Sequence, residues 1–254
     1  MSRKKSTATR RAESQAAASR AAEIRAAAER QERRRRTLVV TAVGVVVLAI
    51  VLAIGYAVQS SRDTAGQAAT PPSGAVGGYA VPAGPSSAPV KVAVYEDFMC
   101  PFCGQFEAAS RDALEKQVAA GKVQIQYHVV NFLDDSSTTK YSTRAANALA
   151  VVLDTSGPEV AKKFHDLLFD NQPSESGPFP DSDQLVEWAV EAGATEADVR
   201  PGIEDMTFEG WVNAAGDAAS KAGINSTPTV FVDGEKVEGQ TMAEIAEAMV
   251  GTGS

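Results

Sequence analysis

The two cysteines of this 254-residue chain lie close together, in the segment Cys100-Pro101-Phe102-Cys103. An alternating apolar run typical of a buried strand, Val90 to Tyr95, precedes them, and apolar residues at helical spacing follow from Phe102 to Val118. Pro101 suits the first position of a helix, where its missing backbone N–H costs nothing. A strand that leads into Cys-X-X-Cys at a helix start places Cys100 at the positive end of the helix dipole, which favours a thiolate. The pattern therefore predicts two sulfurs that open and close a disulfide.

A zinc half-site and a purely structural disulfide are the two other uses of such a pair. Zinc takes four ligands, and the only histidines of the chain are His128 and His165. The first falls on a predicted strand and the second in a helical stripe, so we interpret both as packing or surface residues and predict no metal. A disulfide that closes so short a loop adds little stability. We therefore predict redox roles, with Cys100 as the exposed reacting sulfur and Cys103 as its resolving partner.

Charge is segregated along the chain. Residues 1–36 carry 12 basic and 4 acidic residues, a net charge of +8, whereas the remainder carries 12 basic and 28 acidic residues, a net charge of −16. The acidic remainder argues against nucleic-acid binding by the folded part of the chain. The basic segment suits an anionic lipid surface, because an uncharged apolar run follows it.

That apolar run covers the 22 residues from Thr37 to Val58 and contains no charged side chain. It is long enough to span the hydrocarbon core of a bilayer, and Arg33 to Arg36 directly before it hold that end in the cytoplasm. A cleaved signal peptide is the alternative, but this apolar core exceeds the usual length of about 7–15 residues. The sequence therefore predicts a single-pass cell-membrane protein with a cytoplasmic N-terminus and an extracytoplasmic C-terminal domain.

Composition divides the chain into four predicted segments. They are a basic cytoplasmic tail (1–36), a transmembrane helix (37–58), a flexible linker rich in Ser, Gly, Ala and Pro (59–88), and a folded domain (89–254).

Within the folded domain the periodicity predicts an α/β order. A second alternating strand runs from Val123 to Val129, and residues 135–222 carry helical signals only. Thr229 to Val232 then reads as a strand that meets the hairpin turn Asp233-Gly234, and an amphipathic helix follows from Thr241. The predicted order is β-α-β, a helical insert, and β-β-α. Capping boxes are predicted at Asp181 and Thr195, and core positions at Trp188 and Trp211.

Two motifs in this order resemble the DsbA family of the thioredoxin fold. The segment from Tyr95 to Cys103 is similar to the active-site segment of that family, and Ser226-Thr227-Pro228-Thr229 matches its cis-proline loop. The resemblance covers about residues 80–250 and implies a thioredoxin fold with an inserted helical subdomain. Two positions depart from the pattern: Phe102 replaces the histidine of the best-known oxidase, and Val94 stands where related proteins often carry a buried acid.

The resemblance also implies roles and partners. Thr227 and Pro228 would hold an extended substrate beside the disulfide by backbone pairing. Glu96 and Asp97 would assist proton transfer to Cys103 or, equally, cap the turn. The implied substrates are exported proteins with cysteine pairs, and the implied redox partner is a quinone-linked membrane oxidase of the DsbB or VKOR type. We expect a monomer that needs no cofactor.

Three functions stay open at this point. The leading prediction is a membrane-tethered oxidase that makes disulfides in exported proteins. A reductase or isomerase of the same fold is the first alternative, since a threonine before the cis-proline occurs among oxidases and among isomerases of the wider family. A non-catalytic tethered peptide-binding module is the second alternative, and the intact Cys-X-X-Cys argues against it.

Overall fold

A five-stranded mixed sheet lies at the centre of the computed structural model, which describes residues 69–239. The predicted basic tail, the predicted transmembrane segment and the predicted helix from Thr241 fall outside the described residues. Between residues 69 and 239, no helix has the length and apolar character needed to cross a bilayer.

The elements follow the predicted β-α-β, helical, β-β order, with one additional strand before them. The strands are β1 (Val81–Ala83), β2 (Val90–Glu96), β3 (Val123–Val129), β4 (Thr229–Val232) and β5 (Glu235–Lys236). The α-helices are α1 (Pro101–Ala119), α2 (Tyr141–Ser156), α3 (Pro158–Asp170), α4 (Ser182–Ala192), α5 (Glu196–Glu204) and α6 (Glu209–Lys221). A single 3₁₀ turn, Asp134–Ser136, stands before α2.

The strand order in the sheet is β1-β3-β2-β4-β5. The central pair β2 and β3 is parallel, with Val90 opposite Val123 and Glu96 opposite Val129, whereas β4 runs antiparallel to β2. Because β2 is paired on both edges, the segment that follows it and contains the two cysteines starts from a fixed strand end. The hairpin predicted at Asp233-Gly234 joins β4 to β5, and both turn residues have positive φ, as a type I′ turn requires.

The edge strand β1 corrects the sequence prediction of a linker through residue 88. Val81 pairs with Tyr127 and Ala83 with Ile125 in an antiparallel ladder, and Val81 and Ala83 are buried. The Nε1–H of Trp211 donates to the carbonyl oxygen of Gly78 at 2.8 Å, which ties the preceding turn to the helices. The small apolar residues of this segment have the composition of a linker, but their backbone groups form the hydrogen bonds that complete the edge of the sheet.

The helices of the insert share one continuous hydrophobic core with the sheet. Helix α2 lies at its centre and contacts α3, α4, α5 and α6, while α3 also contacts β1 and α1. Trp211 is buried as predicted, whereas Trp188 is only partly buried. The insert therefore packs as part of the domain, so its residues can reach the end of β2 where the cysteines begin.

One of the two predicted caps in this region is confirmed. The side chain of Asp181 accepts a hydrogen bond from the backbone N–H of Gln184 at the start of α4. The predicted cap at Thr195 is wrong, because the Thr195 side chain makes no cap hydrogen bond. Its backbone carbonyl accepts from Asp198 instead, so α5 starts without side-chain help.

Candidate active site

Cys100 and Cys103 occupy the turn between β2 and the first turn of α1. Cys100 is the N-cap residue, Pro101 is the first helical residue, and the backbone N–H of Cys103 donates to the carbonyl of Cys100 at 3.0 Å. Both cysteines are free thiols. Cys103 is fully buried, whereas 6% of Cys100 is exposed. The sequence predicted an exposed Cys100, whereas the structure buries it, because tertiary contacts cover most of the residue.

The two thiols are polarised in opposite directions. A hydrogen bond from the Cys103 thiol, opposed by burial and reinforced by Thr227 and the backbone N–H groups of Phe102 and Cys103, lowers the pKa of Cys100 from 9.0 to about 6. Burial, the hydrogen bond to Cys100 and the nearby charges raise the pKa of Cys103 well above its usual range. These shifts favour a thiolate at Cys100 and a thiol at Cys103 at neutral pH, which is the polarisation that a nucleophile and leaving group at Cys100 require.

The Thr227-Pro228 loop lies directly against Cys100. The peptide bond between Thr227 and Pro228 is cis, as the resemblance implies, and the Cys100 thiol lies 3.4 Å from the Thr227 carbonyl oxygen. Both loop residues are half-buried. The structure thus brings together a reactive sulfur and a backbone segment that are 127 residues apart in the sequence.

Phe102 presents an apolar ring beside the reacting sulfur. Its side chain is 58% exposed, and the other large exposed hydrophobic residue in the described range is Val190 on α4. Position 102 therefore contributes a backbone N–H to the Cys100 thiolate and a ring to the surface around it.

Asp97 is buried and holds the reacting segment to its surroundings. Its carboxylate accepts hydrogen bonds from the backbone N–H of Met99 at 2.8 Å, from that of Leu133 at 3.0 Å and from the Ser142 hydroxyl at 2.6 Å. Burial raises the pKa of Asp97 to about 6 in spite of these three donors. Of the two roles left open for this residue, its contacts favour the structural one.

Glu96 belongs to a different environment, inside the domain. Its Oε1 lies 2.5 Å from Nε2 of His165, and both side chains are fully buried. The sequence interpretation of His165 as an ordinary packing or surface residue is therefore wrong: the ring is buried and bonded to acids on both sides, since Nδ1 lies 3.4 Å from Oδ1 of Asp166. Burial would lower the pKa of His165, but the charge of Glu96 and the bonds to both acids raise it to about 9.

Glu107 on α1 completes this buried cluster, and sequence reasoning missed it. Burial and the charge of Glu96 raise the pKa of Glu107 to about 7. Glu107 Oε1 has no hydrogen-bond partner, and Glu96 Oε2 has none either. Glu107 directly follows Phe106 on the buried side of α1. An acid among apolar residues at helical spacing was the sequence signal that could have predicted this buried carboxyl group.

Within residues 69–239, the side chains of this cluster are also of the types that bind metal ions in proteins. One ligand atom each from Glu96, Glu107 and His165 lies within 4.8 Å of the others. In this structure the two imidazole nitrogens of His165 face carboxylates, Nε2 that of Glu96 and Nδ1 that of Asp166. The second histidine, His128, lies apart from the cluster and stacks on Tyr95 with ring centroids 4.4 Å apart.

Comparison with known proteins agrees with this geometry. A family model described as "Thioredoxin" matches residues 78–250. The reduced DsbA of Mycobacterium tuberculosis is 32% identical with a TM-score of 0.57, over 69% of this chain and 99% of that chain. The reduced disulfide bond oxidoreductase DsbG of the same organism is 33% identical with a TM-score of 0.58, over 75% and 97%.

Other similar proteins share the fold alone or match this chain over part of a longer one. The thiol-disulfide oxidoreductase MdbA of Actinomyces oris shares the fold at 23% identity, with a TM-score of 0.59 over 74% of this chain and 94% of that one. The serine/threonine-protein kinase PknE of Mycobacterium tuberculosis is 32% identical over 162 residues, which are 61% of this chain and 28% of the kinase. The chain thus spans little more than a quarter of the length of that curated relative.

The family match over residues 78–250 includes Cys100, Cys103 and the cis-proline, and the likeness to DsbA and DsbG covers 69% and 75% of this chain. The chain therefore belongs to the thioredoxin family, among the DsbA-like thiol-disulfide oxidoreductases.

Proposed function

We propose that the protein is a membrane-tethered oxidase that transfers its Cys100–Cys103 disulfide to cysteine pairs of exported proteins. The cysteine pair at the start of α1, held against the cis Thr227-Pro228 peptide, carries the proposal, and the lowered pKa of Cys100 beside the raised pKa of the buried Cys103 gives its direction. Such a pair favours its own reduced form, so that it oxidises other thiols.

The reaction is a pair of exchanges between sulfur atoms. A substrate thiolate attacks Cys100 Sγ, the bond between Cys100 and Cys103 breaks, and its electron pair goes to Cys103 Sγ, which takes up a proton. A second substrate thiolate then attacks the substrate sulfur of the mixed disulfide, and Cys100 leaves as a thiolate. The substrate loses two electrons to form a disulfide, and the enzyme gains them as a dithiol.

Thr227 and Pro228 position the substrate in this scheme. Because the Thr227 carbonyl lies beside Cys100, an extended peptide bound along this loop would place its cysteine against the reacting sulfur. The exposed ring of Phe102, two residues after Cys100 in the sequence, offers apolar contact to such a peptide. Both features suit unfolded substrates, whose cysteines lie in extended and partly apolar segments.

The lowered pKa of Cys100 accounts for part of an oxidising potential. At pH 7, a Cys100 pKa of about 6 favours the reduced form by about 1.4 kcal/mol, which corresponds to about 30 mV. About 150 mV separates thioredoxin from the most oxidising member of this fold. The Cys100 thiolate therefore supplies about a fifth of that interval, and the remainder has to come from the environment of the disulfide form.

The decisive measurement is the equilibrium of the full chain with glutathione. A potential near −120 mV supports the oxidase, whereas one near −270 mV supports the reductase alternative. Cys100→Ser distinguishes both from a non-catalytic peptide-binding module: loss of thiol exchange and of the cellular phenotype is expected of an enzyme, and a wild-type phenotype would contradict it.

The proposal places the active site outside the cytoplasm. It rests on the uncharged run from Thr37 to Val58 and the four arginines before it. The orientation is tested by fusing, after Ser254, a reporter enzyme that is active only outside the cytoplasm. We expect this fusion to be active. A quinone-linked membrane oxidase is the proposed source of oxidising equivalents, and loss of reoxidation when membranes are depleted of quinone is the expected result.

A further inference from the structure

We propose that Gln172, two residues after the end of α3, is a positioning residue through which the helical insert favours the Cys100 thiolate over the disulfide. It acts on the backbone of the turn that carries the reacting sulfur. The inference rests on the disulfide exchange proposed above and holds for either direction of it. It extends the role of the insert from packing to the reactivity of the first cysteine.

The side-chain amide of Gln172 reaches two carbonyl groups of the turn between β2 and α1. Its Nε2 donates to the carbonyl oxygen of Phe98 at 3.0 Å and to that of Cys100 at 3.0 Å. A primary amide carries two N–H groups, so one serves each carbonyl. Gln172 therefore holds the backbone on both sides of Met99.

The end of α3 is fixed against this turn by packing and by an ion pair. Phe169 is buried in the last turn of α3, and its ring centroid lies 5.0 Å from that of Phe98. Nη1 of Arg111 on α1 donates to Oδ1 of Asp170 at 2.7 Å. The backbone N–H of Gln172 donates to the carbonyl oxygen of Phe169 at 3.2 Å. The position of the amide therefore follows the position of the insert.

Gly104 in the first turns of α1 provides the space that this approach needs. A Cβ built at Gly104 would lie 2.5 Å from Oε1 of Gln172. This separation is too short for two non-bonded atoms, so a side chain at position 104 would push the amide away from the two carbonyl groups.

The carbonyl oxygen of Cys100 receives more donors than it has lone pairs. Besides Gln172, the backbone N–H groups of Cys103 and Gly104 donate to it, at 3.0 Å and 3.2 Å. A carbonyl oxygen has two lone pairs, so three donors share them. The N–H of Cys103 also donates to Sγ of Cys100, which gives this donor a second acceptor. It is therefore the donor that can turn from the carbonyl oxygen to the sulfur.

The charge on Cys100 decides which acceptor this N–H prefers. Hydrogen bonds to a charged acceptor are roughly twice as strong as those between neutral groups, so a thiolate attracts the N–H more than a disulfide sulfur does. While Gln172 supplies the carbonyl oxygen, the N–H of Cys103 turns to the thiolate and leaves two donors behind. Without Gln172 the carbonyl oxygen would keep the N–H of Gly104 alone. The amide thus stabilises the thiolate more than the disulfide, which makes the cysteine pair more oxidising.

The first test measures the ionisation of Cys100 in the reduced full chain. Gln172→Met keeps the length of the side chain and removes both donors. The midpoint, at about pH 6 in the wild type, should rise until the ratio of thiolate to thiol is roughly threefold lower at a given pH, near the lower end of what one hydrogen bond contributes. Gln184→Met is the matched control, because this amide donates to Glu187 on α4, and the midpoint should stay unchanged.

The equilibrium with glutathione is a readout that a merely structural role would not move. At pH 8, above the midpoint of both proteins, Gln172→Met should be less oxidising than the wild type by roughly threefold in the equilibrium constant, which corresponds to about 15 mV. Loss of a purely structural contact would destabilise the oxidised and reduced forms equally. An unchanged or more oxidising potential in Gln172→Met would therefore overturn the inference.

Gly104→Ala tests the same contact without altering Gln172. The added Cβ displaces the amide, so the Cys100 midpoint should rise as it does in Gln172→Met. In a Gln172→Ala background the same glycine substitution should add nothing to the midpoint. A rise of equal size in both backgrounds would show that position 104 acts independently of the amide, which contradicts the inference.

A nuclear magnetic resonance titration of the reduced wild type applies whether or not the variants fold. The amide proton of Cys103 should move downfield as Cys100 ionises, and by more than that of Gly104, which donates to the carbonyl oxygen. Equal movement of the two resonances would overturn the inference. Failure of the wild type to exchange disulfides would instead refute the proposed function, because the Cys100 midpoint reports on Gln172 without any substrate.

Discussion

Gln172 donates from its side-chain Nε2 to the carbonyl oxygen of Cys100 at 3.0 Å, and the same amide donates to the carbonyl of Phe98 at 3.0 Å. A residue that follows α3 thus fixes both sides of the turn that carries the reacting sulfur. The approach is close because Gly104 has no side chain: a Cβ there would lie 2.5 Å from Gln172 Oε1. Neither residue was predicted as part of the site, although a glycine in the first turns of α1 was a signal for close approach.

This contact predicts a change of sign in a double-mutant cycle. Gly104→Ala alone should destabilise the protein, because displacing Gln172 removes two hydrogen bonds worth about 0.5–1.5 kcal/mol each. In a Gln172→Ala background the same change should stabilise it by about 0.5–1 kcal/mol, since alanine is the better helix residue. Urea unfolding of the four proteins measures the cycle. Equal effects of Gly104→Ala in both backgrounds would show that Gln172 does not depend on the glycine.

A second prediction concerns the Cys100 thiolate. Its absorbance near 240 nm, or its rate of alkylation, should titrate with a midpoint at about pH 6. Cys103→Ala should move this midpoint upward, because the largest stabilising contribution is the hydrogen bond from the Cys103 thiol. Cys103→Ser keeps a donor and should move it less. A midpoint of the wild type near 9 would remove the physical basis of the proposed oxidase.

The same shift sets the sign of a pH dependence. Because the pKa of Cys100 is lowered on folding, its contribution to the stability of the reduced protein is complete above pH 9 and is lost as the pH falls through about 6. Reduced wild type and reduced Cys100→Ala should therefore differ more in free energy of unfolding at pH 8 than at pH 5. Urea unfolding at the two pH values measures it, and a difference that grows toward pH 5 would contradict the assignment.

Position 102 allows a test of how the inter-cysteine residues set the potential. Phe102→His places an ionisable ring next to the Cys100 thiolate, and an imidazolium there favours the charged form. We expect a lower Cys100 pKa and a more oxidising potential, measured against glutathione. Phe102→Leu keeps an apolar side chain and is the matched control. If the redox potential shifts equally in both variants, the loss of the aromatic ring is responsible for the shift, and the charge of the imidazolium is not.

Asp97 makes a prediction whose sign is unusual for an acid. Burial raises its pKa in the folded protein from 3.8 to about 6, so its stabilising contribution is present below pH 3.8 and is lost as the pH rises through about 6. The stability of the wild type relative to Asp97→Asn should therefore fall between pH 4 and pH 7, by up to about 3 kcal/mol. A relative stability that rises over this interval would show that the three hydrogen bonds outweigh burial.

Local pattern accounts for most elements of this fold. Alternation in Val90 to Tyr95 and in Val123 to Val129 predicted β2 and β3, and Asp233-Gly234 predicted the final hairpin, because such signals depend on neighbouring residues alone. The cysteine pair at the start of α1 was evident for the same reason. The cis bond before Pro228 came from the resemblance of its loop and not from periodicity.

Contacts between distant residues were decided only by packing. β1 forms because β3 offers an unpaired edge, and no property of Val81 to Ala83 alone distinguishes it from a linker. Glu96 and His165 are 69 residues apart, and both can be buried because each lies within hydrogen-bonding distance of the other in the fold. Spacing along a chain encodes the period of a helix or strand, whereas the partner of a buried charge depends on where two elements meet in space.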